Sequence, residues 1–144
     1  MPNSFYDEVL LDHNMHPLHR HELPCATCSH AGMNPSCGDE ITLHLTLDGG
    51  VITNGSYTGV GCAISQASAD IMLDMVIGKT EEEALRLKAL FMRMIDGTAT
   101  EEEIGTLEEA GALRNIAKMP ARVKCAVLGW RTLGAMLSED HQAQ

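Results

Sequence analysis

Aromatic and basic residues are scarce in this sequence. Phe, Trp and Tyr make up 3 % of the 144 residues, and ten Lys and Arg stand against twenty Asp and Glu, which gives a formal net charge of −10. An acidic surface repels nucleic-acid phosphates and anionic lipid headgroups, so we expect neither nucleic acid nor membranes as partners. We expect its protein partners to present basic patches.

The sequence also lacks long apolar runs and a secretion signal. No stretch of about 18 apolar residues is available to span a bilayer. The N-terminal stretch MPNSFYDEVLLDH has no basic segment followed by an apolar one. The five cysteines are an odd number. We therefore expect a cytoplasmic protein with reduced thiols that are available for metal or sulfur chemistry.

The first half of the chain predicts one helix, a long irregular segment and a β-hairpin. The helix begins near Asn3 or Ser4, which are good N-caps. Residues 16–36 carry three prolines, four histidines and two cysteines without clear periodicity, so we expect a loop that contains at most one short strand. Strict alternation in ITLHLTLD and the turn residues Gly49 and Gly50 predict a hairpin that continues through VITNGSYTGV.

The second half of the chain predicts helices. An apolar stripe over residues 64–76 ends at Gly78, and Pro120 suits the first turn of a last helix that runs to about Leu137. Three Thr–Glu pairs between them have capping-box spacing and mark possible helix starts: Thr80 with Glu83, Thr100 with Glu103, and Thr106 with Glu109. Strands early and helices late predict one α+β domain over residues 1–144, a small antiparallel sheet with helices packed on one face.

Three cysteines and an aspartate occupy positions that suit metal binding. Cys37 and Asp39 lie in a loop before the hairpin, and Gly38 between them lets the loop turn so that both side chains can face one point. Cys62 follows Gly61 and opens a helix, where unpaired backbone N–H groups stabilise negative charge on sulfur.

Cys125 completes this set. It lies on the second turn of the last helix, roughly 200° from Val123 at about 100° per residue, and is therefore expected off the core-facing stripe. Three thiolates and one carboxylate match a tetrahedral zinc site with a net negative charge, which Lys124 or Arg122 could offset. The alternative is that each cysteine is only a buried packing residue.

The irregular segment holds a second group of metal-binding side chains. They are Cys25 and Cys28 of the stretch CATC, with His21 and His30 close by in sequence. Thiols and imidazoles of this kind could form an accessory metal site. The alternative is a mobile loop without a metal site. We expect His13 and His44 to be surface or helix-face histidines.

The chain contains three separated motifs: NPSCGDEITLHL, GVGCAISQASADIM and MPARVKCAVLGW. Together they resemble the IscU/SufU, or NifU-like, family of iron–sulfur cluster assembly proteins. The resemblance covers residues 34–137, and the first helix with LDHNMHP is also similar. It implies an α+β fold with a small antiparallel sheet and helices packed on it. It also implies that four metal ligands meet at one edge: Cys37, Asp39, Cys62 and Cys125.

Two features resemble the SufU branch of this family more than the IscU branch. Lys124 precedes the last cysteine where IscU-like chains have histidine. Cys62 and Cys125 are 63 positions apart, which is more than the separation of the corresponding cysteines in IscU-like chains. We expect residues 92–112 to be the insertion that accounts for the difference. One feature departs from SufU-like chains, which carry an ordinary polar and apolar segment where this chain has CATC.

The SufU-like resemblance implies a zinc-bound sulfur carrier. Such proteins accept persulfide sulfur from a SufS-type cysteine desulfurase, a pyridoxal-phosphate enzyme, and serve downstream iron–sulfur assembly proteins. The implied sulfur acceptor is Cys37. Two alternatives stay open. In the first, iron replaces zinc and a [2Fe–2S] cluster is built on the same ligands, as in IscU-like proteins. In the second, a structural zinc module only binds partners.

Overall fold

The computed structural model describes the backbone of residues 4–143 and the side chains of residues 8–137. Its elements follow in this order: α1 Ser4–Met15, β1 Cys28–Asn34, β2 Asp39–Asp48, β3 Val51–Val60, α2 Ala63–Val76, α3 Glu81–Asp96, α4 Glu101–Gly105, a 3₁₀ helix Glu108–Lys118, and α5 Pro120–Ala143. The predicted N-cap Asn3 lies outside the described residues. Among the helices of this part of the chain, none is long and apolar enough to cross a membrane.

The three strands form one antiparallel sheet in the order β1, β2, β3. Alternate residues of β2 build its inner face, which removes Ile41, Leu43 and Leu45 completely from solvent. The chain turns between β2 and β3 at Gly49 and Gly50, both with positive φ. The predicted hairpin is therefore confirmed, with the turn residues that such a tight connection requires.

β1 occupies the end of the segment for which the sequence predicts a loop with at most one short strand. It is seven residues long and pairs with β2 in a register that joins Cys28 to Leu45 and Asn34 to Asp39. Small and polar residues fill most of its positions, so its alternation is hidden in the sequence. The register places Asn34 beside Asp39 at one end of the sheet.

α5 is the central helix of the core. It packs on β1 and β2 and also contacts α2, α3 and the 3₁₀ helix. Trp130 of α5 is fully buried and stacks on Phe91 of α3 with ring centroids 4.8 Å apart. Helices packed on a three-stranded antiparallel sheet confirm the predicted α+β class. α5 runs to Ala143, beyond the predicted end near Leu137.

The neighbours of α5 correct the expected position of Cys125. Its side chain is 2 % exposed, so it lies in the core and not off the core-facing side. A helix that packs against a sheet and several other helices buries more than one stripe. For that reason the angle between Cys125 and Val123, which is only half-buried, does not predict exposure.

The Thr–Glu pairs predict helix starts correctly in two cases out of three. Capping boxes with both reciprocal hydrogen bonds form at Thr80 with Glu83 and at Thr100 with Glu103. The third prediction is wrong, because Thr106 ends α4 instead of starting a helix. Glu108 has a φ of 51°, in the left-handed region, so the chain cannot continue helically from Thr106 to Glu109.

A buried polar cluster contains His13, which was expected to be a surface or helix-face histidine; it lies on α1 but not on the surface. His13 is 4 % exposed; its Nδ1 lies 2.5 Å from Oδ2 of Asp70, and its Nε2 lies 3.1 Å from Oε1 of Glu109. The other oxygen of Asp70 accepts the backbone N–H of His19 at 2.8 Å. A fully buried carboxylate needs such partners, so the cluster joins α1 and the 3₁₀ helix to α2. His44, by contrast, lies half-buried on the outer face of the sheet.

This cluster predicts a pH dependence of folding stability. Burial lowers the pKa of His13, but the hydrogen bonds and charges of Asp70 and Glu109 outweigh burial and raise it above its ordinary value. A raised folded-state pKa stabilises the protein fully below the unfolded pKa of about 6.5, and this stabilisation is lost as the pH rises through the folded pKa. We therefore expect the free energy of unfolding, measured by urea titration, to decrease as the pH increases from about 6.5 through the folded-state pKa of His13.

His13→Gln should remove this part of the pH dependence, because its side chain does not titrate. His44→Gln is the matched control, since His44 has no carboxylate partner among residues 8–137. Each variant is compared with wild type at every pH, so that contributions common to the two proteins cancel. The prediction would be contradicted if the free energy of unfolding changed with pH equally in wild type and in folded His13→Gln.

Candidate metal centre

A tight turn between β1 and β2 positions Cys37 and Asp39. The N–H of Cys37 donates to the backbone oxygen of Asn34 at 3.0 Å, and Gly38 has a φ of 74°, which residues with a Cβ rarely adopt. Cys37 is exposed, whereas Asp39 begins β2 and is 2 % exposed. Gly38 therefore turns the chain between an exposed thiol and a buried carboxylate.

Cys62 and Cys125 approach this turn from two helices. Cys62 is the N-cap of α2, where its Sγ accepts the N–H of Ser65 at 3.4 Å. Its own N–H donates to Oδ1 of Asp39 at 2.9 Å. The prediction that Cys62 opens a helix and offers its sulfur to the helix N–H groups is confirmed. Cys125 lies in the second turn of α5, beneath the surface.

The structure brings three of the four expected ligands together. Sγ of Cys37, Sγ of Cys125 and a carboxylate oxygen of Asp39 all lie within 4.8 Å of one another. Cys62 stands next to this group, because its backbone N–H donates to Asp39 and its thiol helps to raise the pKa of Cys125. The four side chains come from a loop, the start of a strand and two helices, so the site exists only when all these elements are folded.

Asp39 is held by hydrogen bonds on both carboxylate oxygens. Oδ1 accepts the N–H of Cys62 and, at 3.2 Å, the hydroxyl of Ser65. Oδ2 accepts Nδ2 of Asn34 at 3.3 Å, and the same Nδ2 lies 3.9 Å from Sγ of Cys125. These donors supply the partners that a buried carboxylate needs, and they orient it before any metal binds.

Sequence reasoning misses Asn34 and Ser65 as parts of the site. Asn34 opens the stretch NPSCGDE, where an asparagine before proline predicts a turn rather than a partner for a distant cysteine. Ser65 has the sequence context of an ordinary first-turn helix residue. The only available signal is their closeness in sequence to Cys37 and Cys62.

The surroundings of Cys125 suit a cation. Burial raises the pKa of its thiol, and hydrogen bonds with Asp39, Cys62 and Cys37 raise it further. A divalent cation would take the place of the thiol proton and allow the sulfur to bind as thiolate. Thiolates with one carboxylate form a donor set that both zinc and iron accept, so the residues present fit either metal.

The supporting residues predicted from the sequence have different surroundings. Gly61 has no room for a side chain, because a Cβ there would lie 3.1 Å from Oδ1 of Asp39 and would collide with the hydroxyl of Ser65. Lys124 and Arg122 are exposed on the first turns of α5 and form no salt bridge with a carboxylate of residues 8–137. Neither base is therefore committed to another part of the described chain.

The structure does not bring together the residues expected to form an accessory metal site, Cys25, Cys28, His21 and His30. Within residues 8–137, the only group of three or more ligand side chains close enough to share a metal ion is the one around Cys37. Cys28 starts β1 and Asn34 ends it. Along an extended strand these positions are roughly 20 Å apart, so CATC lies far from the metal centre.

Comparison with known proteins identifies the family. Residues 5–139 match the family described as the NifU-like N terminal domain. The chain belongs to this family. The family resemblance predicted from three motifs is thereby confirmed, and it extends over nearly the whole chain.

Two relatives of this NifU-like chain carry different names. The iron-sulfur cluster assembly scaffold protein IscU of Thermotoga maritima is 40 % identical over 134 residues, which cover 93 % of each chain. The zinc-dependent sulfurtransferase SufU of Bacillus subtilis is 36 % identical over 131 residues, which cover 91 % of this chain and 88 % of SufU. Because these identities are close, overall identity does not choose between the two branches.

Solved structures share the fold of this NifU-like chain. The crystal structure of SufU from Fervidobacterium islandicum AW-1, described as a scaffold protein for the SUF system, is 34 % identical and superposes with a TM-score of 0.83. The superposition covers 95 % of this chain and 99 % of the Fervidobacterium chain. A NifU-like N-terminal domain from Brucella abortus reaches a TM-score of 0.83 at 21 % identity, which shows the fold alone.

The hydrogen bonds of Asn34 predict its effect on metal retention. Asn34→Ala removes the donor to Oδ2 of Asp39 and the contact with Cys125, so both groups lose orientation. Removing such an outer partner typically lowers metal affinity about 10- to 100-fold, and we expect a loss of that order for zinc, measured by competition with a chromogenic chelator. Asn54→Ala is the control, because the exposed side chain of Asn54 accepts the N–H of Gly55 and, among residues 8–137, has no hydrogen bond to the metal centre. Equal zinc affinities in the two folded variants would contradict this role.

Proposed function

We propose that the chain is a zinc-bound sulfur carrier in iron–sulfur cluster assembly. It takes persulfide sulfur from a SufS-type cysteine desulfurase and supplies downstream assembly proteins. The observation that carries the proposal is a contrast within the metal centre: Cys37 is exposed on a turn beside Gly38, whereas Asp39 and Cys125 are buried. The exposed thiol can move without disturbing the core, and the buried ligands cannot.

Four residues would hold the zinc in this proposal: Cys37, Asp39, Cys62 and Cys125. Bound zinc would keep the thiols ionised while restraining their reactivity. Support comes from the donor set itself, from the relative named a zinc-dependent sulfurtransferase, and from Lys124, which stands where IscU-like chains have histidine. A competing ligand from the desulfurase would release Cys37, the most exposed of the four residues.

The proposed transfer is an exchange between a thiolate and a persulfide. The Cys37 thiolate attacks the terminal sulfur of the donor persulfide; a bond forms between these two sulfurs, the donor S–S bond breaks, and the donor cysteine leaves as thiolate. No external oxidant or reductant is needed. The reaction requires free thiols, as found for Cys37, Cys62 and Cys125, and we propose the reducing cytoplasm as its location.

A second candidate function is a scaffold on which a [2Fe–2S] cluster is assembled. It is favoured by the relative named an iron-sulfur cluster assembly scaffold protein and by a donor set that iron also accepts. Metal analysis of protein purified without oxygen separates the candidates, because the carrier contains zinc and the scaffold contains iron with labile sulfide. A purely structural zinc module has no use for an accessible thiol, so the exposure of Cys37 favours the other two candidates.

Sulfur should accumulate on Cys37. After incubation with desulfurase and cysteine, we expect mass spectrometry to find added sulfur on the Cys37 peptide. Cys37→Ser should abolish stimulation of the desulfurase yet retain some zinc, since three ligands remain. The control is the double variant Cys25→Ser with Cys28→Ser. Both positions lie far from the metal centre, so this variant should still stimulate the desulfurase. Sulfur found chiefly on Cys25 or Cys28 would overturn the assignment.

Removal of the metal should destabilise the fold. The centre joins the turn before β2 to α2 and α5, so the free energy of zinc binding adds to the free energy of folding. We expect a strong chelator to lower the melting temperature by at least several degrees, with the loss of zinc verified on the same sample. Chelator already saturated with zinc is the control. An unchanged melting temperature after verified zinc loss would show that the metal does not join these elements.

A further inference from the structure

The bases of this acidic chain are concentrated in one stretch. Residues 110–138 contain five of the ten Lys and Arg and no Asp or Glu, whereas residues 1–109 contain five bases and eighteen acids. The five bases of the stretch are Arg114, Lys118, Arg122, Lys124 and Arg131. The local charge of this stretch is therefore opposite to the net charge of the chain.

Three of these bases belong to the segment that leads into Cys125, the buried neighbour of the exposed Cys37 thiol. Lys118 ends the 3₁₀ helix, and Arg122 and Lys124 lie on the first turns of α5; all three are exposed. Arg122 precedes Cys125 by three residues, so both lie on one side of α5, about 4.5 Å apart along its axis. Sγ of Cys125 is within 4.8 Å of Sγ of Cys37. We call Lys118, Arg122 and Lys124 the site rim.

The bases of the site rim differ from the preceding base, because they form no salt bridge within residues 8–137. Arg114, the preceding base, forms a two-pronged pair with Glu101 at 2.9 and 2.5 Å. No carboxylate of residues 8–137 makes a salt bridge with Lys118, Arg122 or Lys124. No salt bridge within the described residues therefore has to break before these bases contact a partner.

Exposed apolar side chains accompany the site rim. Met119, between Lys118 and α5, is 39 % exposed, and Val60, two positions before Cys62, is 62 % exposed. Apolar contact beside charge is the usual composition of a protein–protein interface. In such an interface charges accelerate and orient the encounter, while apolar contacts prolong the complex.

We propose that the site rim docks an acidic surface of the sulfur donor, a protein whose persulfide-bearing segment is flanked by Asp and Glu. The inference rests on the proposed function and adds to it the charge of the partner. The sequence predicted that partners present basic patches, and the inference replaces that expectation for this face. The net charge describes the whole protein surface, whereas the donor contacts only the part of the surface around Cys37. The remaining acidic surface repels the same donor, which restricts docking to the productive orientation.

The test is charge reversal with direct measurement of binding. The rim variant carries Lys118→Glu and Arg122→Glu; Lys124 is kept, so the neighbour of Cys125 is unchanged. The control carries Lys79→Glu and Arg86→Glu, which change the net charge equally at exposed positions around the start of α3. Each protein is titrated with a purified SufS-type desulfurase at several salt concentrations, after zinc content and thermal melting have been compared.

At low salt we expect the Kd of the rim variant to be about tenfold or more above that of the wild-type protein. The Kd of the control should rise by less than about twofold. Wild-type binding should weaken with salt more steeply than binding of the rim variant. The inference would be overturned if the rim variant and the control had equal Kd values. It would also be overturned if binding of the wild-type protein did not depend on salt, or if the wild-type protein did not bind the desulfurase. If the rim variant does not fold, the neutral pair Lys118→Gln with Arg122→Gln replaces it, with a smaller change in the same direction.

Sulfur on Cys37 is measured by mass spectrometry in the same samples, which separates this inference from the proposed function. If wild type binds as expected but no sulfur reaches Cys37, the docking surface stands and the sulfur-carrier function fails. If sulfur reaches Cys37 while rim variant and control bind equally, the function stands and the docking surface fails.

Discussion

The buried carboxylate of Asp39 is the group on which the geometry of the metal centre depends. Its hydrogen bonds come from the end of β1 through Asn34 and from the start of α2 through Cys62 and Ser65. A carboxylate without these donors would be costly to bury, so the fold must bring the donors together whether or not a metal is bound. The consequence is preorganisation: the end of β1 and the start of α2 are held against Asp39, beside the thiol of Cys125 that core packing of α5 places there.

The candidate ligands of the metal centre are of two kinds. Asp39 and Cys125 are fixed by burial, whereas Cys37 lies on a turn whose conformation depends on the left-handed Gly38. A site with all its candidate ligands buried would expose no sulfur to a partner, whereas the exposed Cys37 can leave the metal while the buried groups stay in place. Binding by two buried ligands and release of one exposed ligand are therefore compatible in a single centre, which is the physical basis of the proposed sulfur transfer.

Local features of this fold were predictable from the sequence, and features set by tertiary contacts were not. The Gly49–Gly50 hairpin and the Thr–Glu capping boxes involve residues close in sequence, so their patterns are visible there. The burial of His13 depends on Asp70, 57 positions away, and no local pattern encodes it. The same holds for the metal centre: Cys37 and Asp39 form a recognisable pair, but their meeting with Cys125 was inferred from family resemblance and not from spacing.

Buried polar side chains on α2 account for the angular precision that the metal centre needs. Apolar burial stabilises a helix against a sheet but is non-directional, so it leaves rotation and sliding of the helix poorly defined. Ser65 bonds Asp39 of β2, Ser68 bonds a backbone oxygen of α5 at 2.6 Å, and Asp70 bonds His13 of α1. Each of these bonds would be lost, at the cost of an unpaired buried polar group, if α2 rotated or moved along its axis. The N-cap thiol of α2 is therefore held at a defined position relative to the carboxylate and to α5, which a site assembled from four separate segments requires.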